Sequence, residues 1–190
     1  MSRWFIVSFI GAMLASGTVF QNAPASPPPN PAQRYEDAEA YKVYSAALAN
    51  SDKPMLIQLE TWADIRCLNS VRAADKQAAS AFDDYVKVNE TKWVLQDKFN
   101  FPKPPKLVGP EEIRAMFVEQ EKEYQKGGPV TQRGYFILSA VGFNAEKTIA
   151  VVNIYYTCGG LCSDGFLTVL RKTDGIWTVT KEDGVCAIAS

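Results

Sequence analysis

Four cysteines, Cys67, Cys158, Cys162 and Cys186, carry the most versatile chemistry in this chain. An even set can close into disulfides, hold a metal or exchange electrons, and spacing separates these uses. The run Cys158-Gly159-Gly160-Leu161-Cys162 reads C-x-x-x-C, not the C-x-x-C that places one thiol at a helix N-terminus and lowers its pKa. A four-cysteine zinc centre needs two close pairs, and only one exists. Structural bridges are the expectation. Of three possible pairings, Cys158–Cys162 with Cys67–Cys186 is favoured, because the two glycines let a turn bring the nearer sulfurs together. A thiol-redox protein using Cys158 and Cys162 is the alternative.

Glu60, Asp64 and Arg66 surround Trp62 and form the one carboxylate cluster with catalytic potential. Asp64 held near Arg66 would be ionised, while a desolvated Glu60 would hold its proton more tightly, as a general acid or base requires. Alternating charges also mark an ordinary solvated strand edge. The chain contains no histidine, which excludes Ser-His-Asp and Cys-His nucleophiles, imidazole acid–base work and histidine-ligated zinc. Ser70 and Ser139 therefore lack an imidazole to activate them, and Ser70 is followed three positions on by Ala73 rather than lysine. No phosphate-cradling glycine loop, calcium loop or internal repeat is present, and no cofactor or metal is expected.

Twenty basic residues balance 21 acidic ones, without the basic excess that binding a phosphate backbone demands. Nucleic acid is not an expected partner. Asn89-Glu90-Thr91 fits the N-glycosylation pattern, a tripeptide short enough to arise by chance.

The start of the chain carries an export signature. Arg3 precedes a mostly apolar run from Trp4 to Phe20, and Ala23-Pro24-Ala25 offers small residues where a signal peptidase cuts. Residues 1–25 read as a signal peptide and 26–30 as a proline-rich linker, leaving 31–190 as one domain. The competing reading is a membrane anchor made of uncleaved residues 4–20; after cleavage no stable membrane span remains. Localisation is thus periplasmic or secreted, where disulfides persist.

The elements that would position these groups follow from periodicity. Asn30-Pro31 with Gln33 reads as a helix start, and Tyr41, Tyr44 and Leu48 share one helical face. Met55 to Trp62 alternates like a strand with Gln58 and Glu60 on its wet side. Val71 to Val86 places Ala74, Ala78, Phe82 and Tyr85 at helical spacing. A short strand at Trp93-Val94-Leu95 and an exposed loop at Pro102 to Pro105 follow. Pro110, Glu111 and Glu112 open a helix with Ile113, Met116, Phe117 and Tyr124 facing inward, and Gly127-Gly128 stops it.

From Tyr135 the period becomes two, with strands at 135–143, 147–157, 165–172 and 176–182. Short connections make these a four-stranded antiparallel meander. The final hairpin has two possible registers around Thr173-Asp174-Gly175. A bulged loop gathers Leu167, Val169, Trp177 and Val179 on one face; a two-residue turn pairs Trp177 with Lys172 and scatters the apolar residues. The bulge is expected. The class is α+β, with N-terminal helices on one face of a C-terminal four-stranded meander, in a cystatin-like or NTF2-like shape.

The run Ser139-Ala140-Val141-Gly142-Phe143-Asn144, then Cys158-Gly159-Gly160-Leu161-Cys162, Gly165 and Trp177-Thr178-Val179, resembles a group of uncharacterised exported bacterial proteins. The match is close over 135–182 and looser at Val43-Tyr44-Ser45, at Leu56 to Thr61 and from Trp93 through Phe99. The resemblance implies export, a helical first half and a C-terminal meander, and carries no activity. The group often ends in W-x-S. This chain ends Ala187-Ile188-Ala189-Ser190 and adds Cys186, so its last strand is expected to be bound differently.

The functional expectation is an exported, non-catalytic binding or structural module stabilised by disulfides. Its contact patch, to a protein or small-molecule ligand, is placed at the tip around Leu161, Ser163 and Asp164 with Tyr155 and Tyr156, although both tyrosines can equally be packing groups. The alternative is a small-molecule enzyme using Glu60 or Asp64 in a pocket between helices and sheet.

Overall fold

Asp37 opens the first helix: its side chain accepts the Glu39 amide at 3.0 Å, and α1 runs Ala38–Ala47. The computed structural model describes residues 33–65, 68–127, 133–159, 162–180 and 186–189, with only the backbone of the last stretch, all within one compact unit, Ala32–Ser190. The proposed signal peptide and linker lie outside the described residues. Asn30 and Pro31, the expected helix start, lie outside the described residues, and the helix expected to run on through Gln33 is not formed there. Gln33–Arg34 (β1) instead pair in parallel with Trp93–Val94 (β3), and the Tyr35 amide bonds Val94 at 2.8 Å, so the chain stays extended until Asp37.

The expected 71–86 helix is two pieces, α2 (Leu68–Ala74) and α3 (Ala79–Val88), separated at Asp75. Asp75 is buried and accepts the Gln77 and Ala78 amides at 3.1 Å, capping a 3-10 turn; its other oxygen meets Arg171 at 2.6 Å. A buried carboxylate held by two amides and a guanidinium favours this break over a continuous helix.

A single mixed sheet forms the centre. The remaining strands are β2 (Leu56–Gln58), β4 (Lys106–Val108), β5 (Tyr135–Leu138), β6 (Gly142–Phe143), β7 (Ile149–Thr157), β8 (Ser163–Thr173), β9 (Ile176–Val179) and β10 (Cys186–Ala189). Their order is β10-β8-β7-β5-β2-β4, with β6 also on β7 and β9 also on β8. The C-terminal strands are antiparallel, as expected, but β2 joins parallel to both β4 and β5, which needs the helical crossovers α2–α3 and α4 (Pro110–Gln125). The loop at Pro102–Pro105 ends in a buried Pro105 and leads straight into β4, which the three-residue pattern did not reveal.

Helices cover both faces, not one. Tyr41, Val43 and Tyr44 of α1 pack with Val152, Ile154 and Leu170, while Phe82 and Tyr85 of α3 pack with Val151, Leu167 and Val169. Alternating residues of β7 and β8 thus enter two different cores. This overturns the bulged hairpin. Trp177 stands opposite Lys172 and Ile176 opposite Thr173, around a two-residue turn with Asp174 and Gly175 at φ 52° and 82°. That is the primed geometry an Asp-Gly pair supplies. Gathering the apolar residues on one face is unnecessary when both are covered: Trp177 joins Phe143 and α1, and Leu167 and Val169 join α3.

The helix α4 is shallow. Ile113, Met116 and Phe117 are half-buried, but Tyr124 is 69% exposed, contrary to its expected inward place.

Candidate functional site

The expected 135–143 strand is interrupted at Ser139-Ala140-Val141, and the interruption shows what the S-A-V-G-F-N run does. Buried backbone groups that leave a ladder need other partners. The Tyr44 hydroxyl donates to the Ser139 carbonyl at 2.7 Å, and Ser139 Oγ accepts the Asn153 amide at 2.9 Å. Asn89 accepts the Ala140 amide at 2.9 Å and donates to its carbonyl at 3.0 Å, and the Val141 amide donates to the Tyr35 hydroxyl at 2.9 Å. At Gly142 any Cβ would collide with the Tyr85 backbone of α3. Asn144 Oδ1 accepts the Thr148 and Ile149 amides at 2.8 Å. The polar groups named here are spent on structure. Asn89 of the glycosylation tripeptide is among them, since its Nδ2 also donates to the Tyr85 carbonyl at 2.8 Å.

Glu39 gathers a second network at the start of α1. It accepts Lys172 at 2.6 Å, the Trp177 indole N–H at 2.8 Å and Lys42 at 3.0 Å. Partial burial alone would raise its carboxyl, but these hydrogen bonds outweigh that cost and hold the pKa down at about 2. The network ties α1 to β8 and β9.

Of the expected tip patch, the two tyrosines diverge. Tyr155 and Tyr156 lie on opposite faces: Tyr155 lies over Gly165 and near Trp62, with ring centroids 6.1 Å apart, whereas buried Tyr156 packs on Phe136 at 5.1 Å with Lys53 above its ring. Ser163 donates to Thr157 at 2.9 Å and Asp164 is exposed opposite Tyr156. Leu161 lies outside the described residues. The Cys158–Cys162 disulfide is formed, with Cα atoms 5.2 Å apart, and Cys158 is buried. Cys67 and the Cys186 side chain lie outside the described residues.

The expected carboxylate cluster lies only partly within the described residues. Asp64 is buried, with its carbonyl accepting the Tyr85 hydroxyl at 3.4 Å, and Arg66 lies outside the described residues. Glu60 instead lines a cavity of about 240 Å³ between the first turn of α4 and the sheet, with Gln58, Pro110, Ile113 and Tyr135. Among the described residues no side chain bonds the Glu60 carboxylate or the Tyr135 hydroxyl; Gln58 Nε2 donates to the Glu60 carbonyl at 2.9 Å. Burial, and then Tyr155 nearby, raises the Tyr135 pKa, so this phenol stays protonated. Sequence reasoning found Glu60 and missed Tyr135, which lies on β5, the strand paired parallel with β2, and lines the same cavity.

Other hollows lie among the described residues. One of about 520 Å³ lies beside Tyr35, Asp84, Trp93 and Lys147; Asp84 there accepts the Phe143 amide at 2.8 Å and Lys147 pairs with Asp37 at 2.9 Å. A groove of about 340 Å³ runs between Trp62, Ile65 and Val86. Among the described residues no group of histidine, cysteine or acidic side chains is placed to hold a metal, and no helix is long and apolar enough to cross a membrane.

These elements define an α+β protein with a mixed sheet, an antiparallel C-terminal half and a disulfide at one strand connection. Compared with protein-family models, curated proteins and solved structures, the chain finds no match.

Proposed function

We propose that the protein is an exported, non-catalytic binding module, related to the exported bacterial group its C-terminal motifs resemble, with its ligand site in the cavity beside Glu60. The observation that carries this reading is the division of labour among polar side chains. Buried Asp75 caps a turn and Glu39 ties α1 to the sheet, whereas Glu60, Tyr135 and the Gln58 amide oxygen are left open toward one hollow. General acid–base catalysis asks for groups poised near working pH, and burial pushes the Tyr135 phenol away from that range. Binding is the chemistry that remains.

Export rests on the Arg3 and Trp4–Phe20 signature together with a disulfide at Cys158–Cys162. The long bridge belongs to the same reading. Leu68, the sequence neighbour of Cys67, packs on the cluster containing Leu167, and Leu167 is the β8 partner of Cys186.

A fragment library screened by amide NMR tests the binding reading. Saturable shifts concentrated at Gln58, Glu60, Ile113 and Tyr135 are expected. Shifts confined to the 158–164 tip, or none at any site, would overturn it.

A further inference from the structure

The lining of this cavity also selects a charge. Glu60 presents a half-buried carboxylate with no cationic partner among the described residues. Lys106, on the neighbouring edge strand, is engaged with Glu112 at 2.8 Å. Tyr135 lines the same space, its ring meeting Phe117 edge-on at 6.1 Å between centroids, and an aromatic ring attracts positive charge to its face. The Gln58 oxygen takes no hydrogen bond among the described residues, so it adds a second acceptor beside Glu60. Pro110 and Ile113 close the other side with apolar surface. A charged acceptor, a neutral acceptor and an aromatic face opposite an apolar wall match a small organic cation: an ammonium head on a short apolar body. An anion would meet an uncompensated carboxylate, and a neutral molecule would leave that carboxylate unpaired as it was desolvated.

We propose that the Glu60–Tyr135 cavity binds small primary ammonium compounds, an inference that rests on the binding reading above and names its ligand class. The volume of about 240 Å³ suits a one-ring or short-chain amine rather than a peptide.

The test uses three probes of one size on the full chain: benzylammonium, benzyl alcohol and benzoate, titrated by amide NMR. Benzylammonium is expected to shift Gln58, Glu60, Ile113 and Tyr135 and to bind at least about tenfold tighter than the other two, the gap a charge-assisted hydrogen bond supplies. Glu60→Gln keeps the shape of a side chain that holds no other element in place, and should weaken benzylammonium by about tenfold or more without moving the rest of the spectrum. Equal binding of all three probes, or unchanged affinity in Glu60→Gln, would overturn the cation assignment while leaving a binding cavity. No response from any probe, combined with a positive fragment screen here, would also overturn it. A silent fragment screen would remove the underlying reading instead.

Discussion

Gln120 holds Cys158: its amide donates to the Cys158 carbonyl at 3.3 Å, beside the disulfide to Cys162, while its oxygen accepts the Arg133 amide at 2.9 Å. This side chain spans two segments flanking the sheet. α4 has no fully buried residue, so such polar contacts weigh heavily in its docking.

Reduction should therefore loosen α4. With Cys158 and Cys162 reduced, or with both replaced by serine, amide exchange across 111–125 should quicken by about tenfold, one hydrogen bond's worth, while the β7 and β8 interior stays protected. Gln120→Ala should mimic this with the disulfide intact. Unchanged α4 exchange in both cases would show that Phe117 and its neighbours suffice.

Removing Asn89 should be costly. Asn89→Ala strips the side-chain partner from both backbone groups of buried Ala140, while the Tyr85 carbonyl keeps the residue 89 amide, and should lower unfolding free energy by about 2–4 kcal/mol in urea titrations. A loss below about 1 kcal/mol would mean the strand interruption is held otherwise.

Stability should fall at both ends of the pH scale, for opposite reasons. The Glu39 carboxyl lies at about 2 against 4.5 when unperturbed, so its stabilisation is complete above 4.5 and drains away as pH falls toward 2. Burial raises Tyr35, Tyr41, Tyr44 and Tyr85 above 10, so their share is complete below pH 10 and is lost as pH rises beyond it. Denaturant midpoints at pH 7, 3 and 11 check this. Glu39→Gln should shrink the acid loss and leave the alkaline loss intact; an acid limb identical to the wild type would remove Glu39 as its source.

How much of this was readable beforehand follows from the length and surroundings of each element. The strands around Val151 and Leu167 announce themselves because they are nine and eleven residues long, each with an apolar stretch, and precede clear turns. Three-residue β4 and four-residue β10 carry too short a pattern, and their places are fixed by neighbours distant in sequence. The sequence favours the bulged register for Trp177 because it shows which residues are apolar but not how many faces of the sheet helices cover. Glu60 stood out as a charge in an alternating strand. Tyr135 did not, since only the parallel join of β2 to β5 brings its strand to the same cavity. The S-A-V-G-F-N run looked like a signature, and its content is the bonding of one buried strand break.

That register has its own test. Cross-strand NMR contacts should join Lys172 to Trp177, and Gly175→Ala, at a φ of 82°, should cost about 1 kcal/mol while Asp174→Asn is tolerated. Contacts joining Arg171 to Trp177 would restore the bulged loop.

Mass analysis of the full chain recovered from outside the cytoplasm tests the account of an exported, sulfur-clamped module most directly. A protein beginning at Ser26, with no alkylatable thiol and with Cys158 linked to Cys162 and Cys67 to Cys186, is the expected result. A chain retaining Met1 and residues 4–20, with four reactive thiols, would contradict it.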